Sequence, residues 1–148
     1  MKKGYTLVEL LTVVGIMAIL FTISTASFGY LHVQGRFDYV TSEIKDAIYT
    51  AKAQTLNGNQ KSVYFESGRL VLFEGDTFDP EDLDNLETAI PDDMIISFIN
   101  LPSSSIVFSP STGYPSNYLE PYNITLSDKK SSVNRVFSVN KIGIVEVQ

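Results

Sequence analysis

Met1-Lys2-Lys3-Gly4-Tyr5-Thr6-Leu7-Val8-Glu9-Leu10-Leu11 opens the chain, and an apolar run carries on from it to about Gly29. After Glu9 no charged residue appears until Arg36. A helix of about 20 residues, rising about 1.5 Å at each, crosses the hydrocarbon of a bilayer, so the gap is long enough for a span. Lys2 and Lys3 suit the cytoplasmic flank of such an anchor. Glu9 does not suit a plain anchor. A charge inside an apolar span costs about 2.5–3.5 kcal/mol and marks a function or a partner. A secretory signal peptide also has lysines, an apolar core and a small-residue exit, here Ser24-Thr25-Ala26, but Glu9 sits badly at the start of its core.

The order lysine, glycine, aromatic, then glutamate inside an apolar run resembles the class III signal of type IV pilins and pseudopilins. The resemblance implies that a prepilin peptidase cuts between Gly4 and Tyr5 on the cytoplasmic side. It implies N-methylation of the new Tyr5 amine, and a role for Glu9 in assembly with other pilin subunits. Thr6-Leu7-Val8-Glu9-Leu10-Leu11 is close to the family pattern.

The chain has 148 residues and a formal charge of −6, and loss of Lys2 and Lys3 makes it more negative still. An acidic protein has no global electrostatic pull towards nucleic acid. There is no cysteine, which excludes disulfides and thiolate chemistry. The single histidine is His32, and neither a Gly-x-Ser-x-Gly elbow nor a phosphate loop occurs. A catalytic role is therefore not expected, and no cofactor is implied.

The resemblance implies a leader over residues 1–4 and an assembly half of the N-terminal helix over 5–29, which leaves a head over 30–148. Within the head, residues 36–57 form an amphipathic helix. Phe37, Val40, Ile44, Ala47, Ile48 and Ala51 recur at three- and four-residue steps, and Asn57-Gly58 stops it. The period then changes to two. Strands are expected over 62–66, 69–73, 94–99, 105–109, 122–126, 135–139 and 144–147, with a two-residue hairpin at Ser67-Gly68. Helix plus short strands predicts an α+β fold: a long N-terminal helix, membrane-spanning in its first half, on a small antiparallel β-rich head.

Residues 74–93 hold nine carboxylates and no basic residue. Asp79-Pro80-Glu81-Asp82-Leu83-Asp84 reads as a capped short helix with acids at its positive end. The sharper reading is calcium held by Asp76, Asp79, Asp82 and Asp84, although the spacing lacks the EF-hand glycine and closing glutamate. Pro110 to Tyr118 is rich in turn residues and aromatics.

The order of soluble motifs resembles minor pseudopilins of the GspH and FimT type. It rests on Glu43 to Phe65 as helix into strand, Ile106-Val107-Phe108 before Pro110 and Gly113, and Arg135 to Val139 with Ile144 to Val147 as closing hairpin. That implies a minor subunit of a type IV pilus, a type II secretion pseudopilus or a DNA-uptake filament. Some such proteins bind DNA near the closing hairpin, where this chain offers Lys129, Lys130, Arg135 and Lys141 against Asp128 and Glu146. The rival is a membrane-tethered adhesin or DNA-binding receptor that never polymerises.

Overall fold

The structure is a computed structural model that describes residues 6–148, and for residues 24–32 it describes the backbone alone. Helix α1 (Leu7–Leu56) is followed by β1 (Lys61–Glu66), β2 (Arg69–Glu74), β3 (Leu86–Ala89) and β4 (Met94–Asn100). A 3-10 turn (Pro102–Ser104) leads to β5 (Ser105–Val107), β6 (Asn123–Asp128), β7 (Asn134–Val139) and β8 (Val145–Val147). Two antiparallel four-stranded sheets result, ordered β3-β2-β1-β5 and β4-β6-β7-β8. The α+β architecture is the one the periodicity predicts. By contacts the chain forms two units, Met1–Tyr39 and Val40–Gln148.

In the second unit the helical period decides the core. Val40, Ile44, Ile48, Ala51 and Thr55 fall on one stripe, and all are buried. That stripe meets the β1–β2 face carrying Val63, Phe65, Leu70 and Leu72, which are also buried. Burying each of the larger side chains contributes about 1.5–3 kcal/mol. Thr55 ties the helix end to the first strand. Its hydroxyl accepts the Lys61 N–H and donates to the Lys61 carbonyl, both at 2.9 Å.

The opposite face of β1–β2 carries Tyr64 and Phe73, and Phe78 covers both. Its ring stacks on Tyr64 at 4.1 Å and meets Phe73 edge-on at 5.5 Å. The acidic stretch is thus anchored on the sheet by an aromatic residue. The two sheets are joined where the Ile96 N–H donates to the Ser67 carbonyl at 2.9 Å. The second sheet is held to α1 by polar groups. Lys52 Nζ donates to the Ile142 carbonyl at 2.7 Å, and the Val145 N–H donates to the Tyr49 hydroxyl at 3.3 Å.

Two sequence expectations change, and a third finds no support. Residues 79–84 form turns in place of a helix. Asp79 Oδ1 accepts the Glu81 N–H and Asp82 Oδ1 accepts the Asp84 N–H, local bonds that compete with helical ones. The acidic segment also contributes β3, which was not expected. Finally, among the described residues no helix is long and apolar enough to cross a membrane. The spanning first half expected from sequence therefore finds no support in the structure.

Candidate functional site

The helix begins at Leu7, with Thr6 as the residue before it. The Thr6 carbonyl accepts the first helical bond, from the Leu10 N–H at 3.2 Å. The Thr6 backbone N–H and hydroxyl both donate to Oε2 of Glu9, at 3.0 and 3.1 Å. The Glu9 N–H donates back to the Thr6 hydroxyl oxygen at 3.3 Å. This is a capping box, in which two orphan donors of the helix start are satisfied reciprocally. Its Thr-x-x-Glu signature stands in the sequence; the helix dipole and free amide groups already favour a carboxylate so near the helix start, and what sequence reasoning did not name is Thr6 as its partner.

The geometry uses one carboxylate oxygen. Among the described residues Oε1 of Glu9 makes no hydrogen bond. A carboxylate has about four lone-pair sites, so the cap leaves capacity for a cation from elsewhere. Thr12 and Thr22 instead close on their own helix. Thr12 donates to the Val8 carbonyl, and Thr22 donates to the Ile19 carbonyl at 2.7 Å. What remains on the surface from Leu7 to Ile23 is apolar. Leu7 is 77% exposed, Met17 65% and Phe21 72%. Such exposure runs around the helix rather than along one stripe. A helix apolar all round is stable only when something apolar surrounds it.

Gly4 and Tyr5, the cleavage and methylation residues implied by the signal, lie outside the described residues. The same holds for the His32 side chain.

The four candidate nucleic-acid residues do not form one patch. Lys129 and Lys130 sit in the β6–β7 turn, while Lys141 sits in the β7–β8 turn at the opposite end of β7. Lys129 Nζ donates to the Asp92 carbonyl at 2.8 Å, and the Lys130 N–H donates to Asp128 Oδ1 at 2.7 Å. Arg135 Nη1 donates to the Thr41 hydroxyl at 3.0 Å, joining β7 to the helix. Its guanidinium thus has a structural task that composition does not reveal. Asp76, Asp79, Asp82 and Asp84 form no metal-holding cluster among the described residues.

Residues 1–25 match the family model described as the prokaryotic N-terminal methylation motif, the class III signal that type IV pilins and pseudopilins carry. No curated protein and no solved structure matches the chain.

Proposed function

We propose that this chain is a pilin-like structural subunit, held in the cytoplasmic membrane by its N-terminal helix and then built into a pilus or pseudopilus. The observation that carries the reading is a helix start with a methylation motif, a capped glutamate and an apolar surface on every side. Lipid and a bundle of like helices are the two surroundings such a surface accepts, and a filament subunit passes from one to the other. The role is structural and not catalytic. Of the branches of the family, the order of head motifs favours a minor subunit of the GspH and FimT type.

In this reading Glu9 acts twice. Oε2 caps its own helix, and Oε1 faces the methylated Tyr5 amine of an adjacent subunit. In apolar surroundings that pair favours one axial stagger over others, because a misregistered carboxylate is left unpaired. Partners are therefore a prepilin peptidase, other pilin-like chains and the membrane.

The test is mass spectrometry of the N-terminus from native cells. The expected chain starts at an N-methylated Tyr5. A chain starting at Ser27, or one that keeps Met1, contradicts the reading.

A further inference from the structure

Each sheet has two edges, and on three of the four at least one outward backbone group is already taken. On β5, the Val107 N–H donates to Asn117 Oδ1 at 3.2 Å, and its carbonyl accepts the Ser116 N–H at 2.8 Å. On β8, the Val145 N–H is taken by Tyr49. On β4, the Ile96 N–H is taken by Ser67. Strand β3 differs. Its neighbour Ile90 donates inward to the Gly68 carbonyl at 2.9 Å, so the two-residue alternation turns Thr88 and Leu86 towards β2. Glu87 and Ala89 then turn their N–H and C=O groups outward, and among the described residues those groups have no partner.

The two faces flanking this edge are hollow. On the helix side a cavity of about 200 Å³ is lined by Glu43, Asp46, Thr50, Leu72, Leu86 and Thr88. On the other side a cavity of about 610 Å³ is lined by Glu66, Ser67, Gly68, Arg69, Glu87 and Ala89. A strand laid along β3 projects alternate side chains towards the two cavities. The charge of the surroundings selects its composition. Arg69 is already held by Glu66 at 2.7 Å and Glu87 at 2.5 Å. Among the described residues Glu43 and Asp46 show no basic partner, and Glu81, Asp82 and Asp84 precede the edge in a stretch with no basic residue. Of the devices by which native sheets protect an edge, Leu86-Glu87-Thr88-Ala89 has short length and the charge of Glu87 but no lysine, proline or bulge, so its protection does not act against a basic strand.

We propose that β3 is a strand-addition edge that receives an extended segment of a second protein, with lysine or arginine at the positions facing Glu43 and Asp46. Backbone hydrogen bonds supply affinity, and the two cavities supply sequence preference. A second copy of this chain fits poorly, because edge-to-edge pairing brings like acids together. The edge lies in the unit Val40–Gln148 and requires nothing of residues 7–23.

The experiment uses the full chain in detergent micelles, with a short blocked peptide alternating lysine and valine as probe and one alternating glutamate and valine as control. The lysine peptide is expected to bind, to weaken as salt rises, and to slow amide exchange at Glu87 and Ala89. Ala89→Pro removes an outward N–H without touching the β2 ladder, and is expected to weaken binding about tenfold at an unchanged melting temperature. Glu43→Gln with Asp46→Asn is expected to weaken it about threefold to tenfold at low salt and to flatten the salt dependence. Equal binding of the acidic peptide, or binding that leaves Glu87 and Ala89 exchange unchanged, overturns the proposal. Should Ala89→Pro not fold, the wild-type exchange measurement decides alone. Self-association that protects the same amides without peptide also overturns it, since the edge then belongs to a second copy.

Discussion

Two stretches of one helix behave in opposite ways. From Leu7 to Ile23 every large apolar side chain is exposed, whereas Val40, Ile44, Ile48 and Ala51 are all buried. The residues are of similar kinds, and the difference lies in their arrangement. In the second stretch apolar residues keep to a 3.6-residue stripe with charges elsewhere, so one sheet face is enough to cover them. In the first they surround the helix, and a single flat surface cannot cover them. The first stretch must find its surroundings outside the chain, and the second carries its own.

The comparison breaks first at the core. Phe65→Ala, in the β1 face beneath the helical stripe, is expected to lower stability by about 3–5 kcal/mol. Ile48→Ala on the stripe itself should lose about 2–5 kcal/mol. Urea unfolding of the full chain in micelles checks both, with loss of the head's near-ultraviolet signal as readout. If the head holds itself together, both midpoints fall well below wild type.

Thr55→Val tests the polar link at the end of the same stripe. It keeps the shape and removes a hydroxyl that both accepts and donates to Lys61, so a loss of about 1–3 kcal/mol is expected. Gly113→Ala belongs in the same range. Gly113 has φ of +65°, and an added Cβ meets Leu56 side-chain atoms at 2.8–3.0 Å. Both strain and crowding then act, about 1–3 kcal/mol together.

A smaller effect is expected at high pH. Tyr122 is buried, and its hydroxyl donates to Asn117 Oδ1 at 2.7 Å and towards the Ser105 carbonyl at 3.2 Å. Burial raises its pKa well above that of a free phenol. The unfolded phenol ionises near pH 10, so the stabilising effect is complete below that value. It is lost as pH rises above it, because the unfolded state then releases a proton that the fold retains. Thermal melts on either side of pH 10 should show the fall, and Tyr122→Phe should reduce it. The smallest change is Ile16→Ala, on the exposed stretch, which should leave head stability within about 0.5 kcal/mol. A large loss there contradicts the division into a self-contained and a partner-dependent stretch.

Much of the fold was legible in the sequence because burial follows period. The helical stripe, the Asn57-Gly58 stop and the Ser67-Gly68 hairpin all stand where spacing places them. Strand β3 was hidden because it is a short edge strand with mostly exposed side chains, so no alternation of apolar residues marks it. The expected helix at Asp79 lost to aspartate side chains that bond their own backbone. The fifth strand ends at Val107, two residues early, since Phe108 leaves the ladder for an isolated bridge with Pro115. At the candidate site the sequence marked Glu9 but not the bond it makes. The Thr41 partner of Arg135, 94 residues away in the chain, lay beyond any local pattern.

The most direct measurement separates the cap that Glu9 makes from the intersubunit role proposed for it. Glu9→Gln keeps the shape and the capping capacity of a Thr-x-x-Gln box while removing the charge. Thr6→Ala removes the cap, about 1 kcal/mol of local helix stability, and keeps the charge. The quantity is the ratio of filament-associated to membrane-associated protein in native cells, compared with wild type. Glu9→Gln is expected to process normally and to lose at least about tenfold of that ratio, equivalent to about 1.4 kcal/mol of assembly free energy. Thr6→Ala is expected to lose far less. An unchanged ratio for Glu9→Gln, with Thr6→Ala the more damaged of the two, contradicts the intersubunit role and leaves Glu9 as a cap alone.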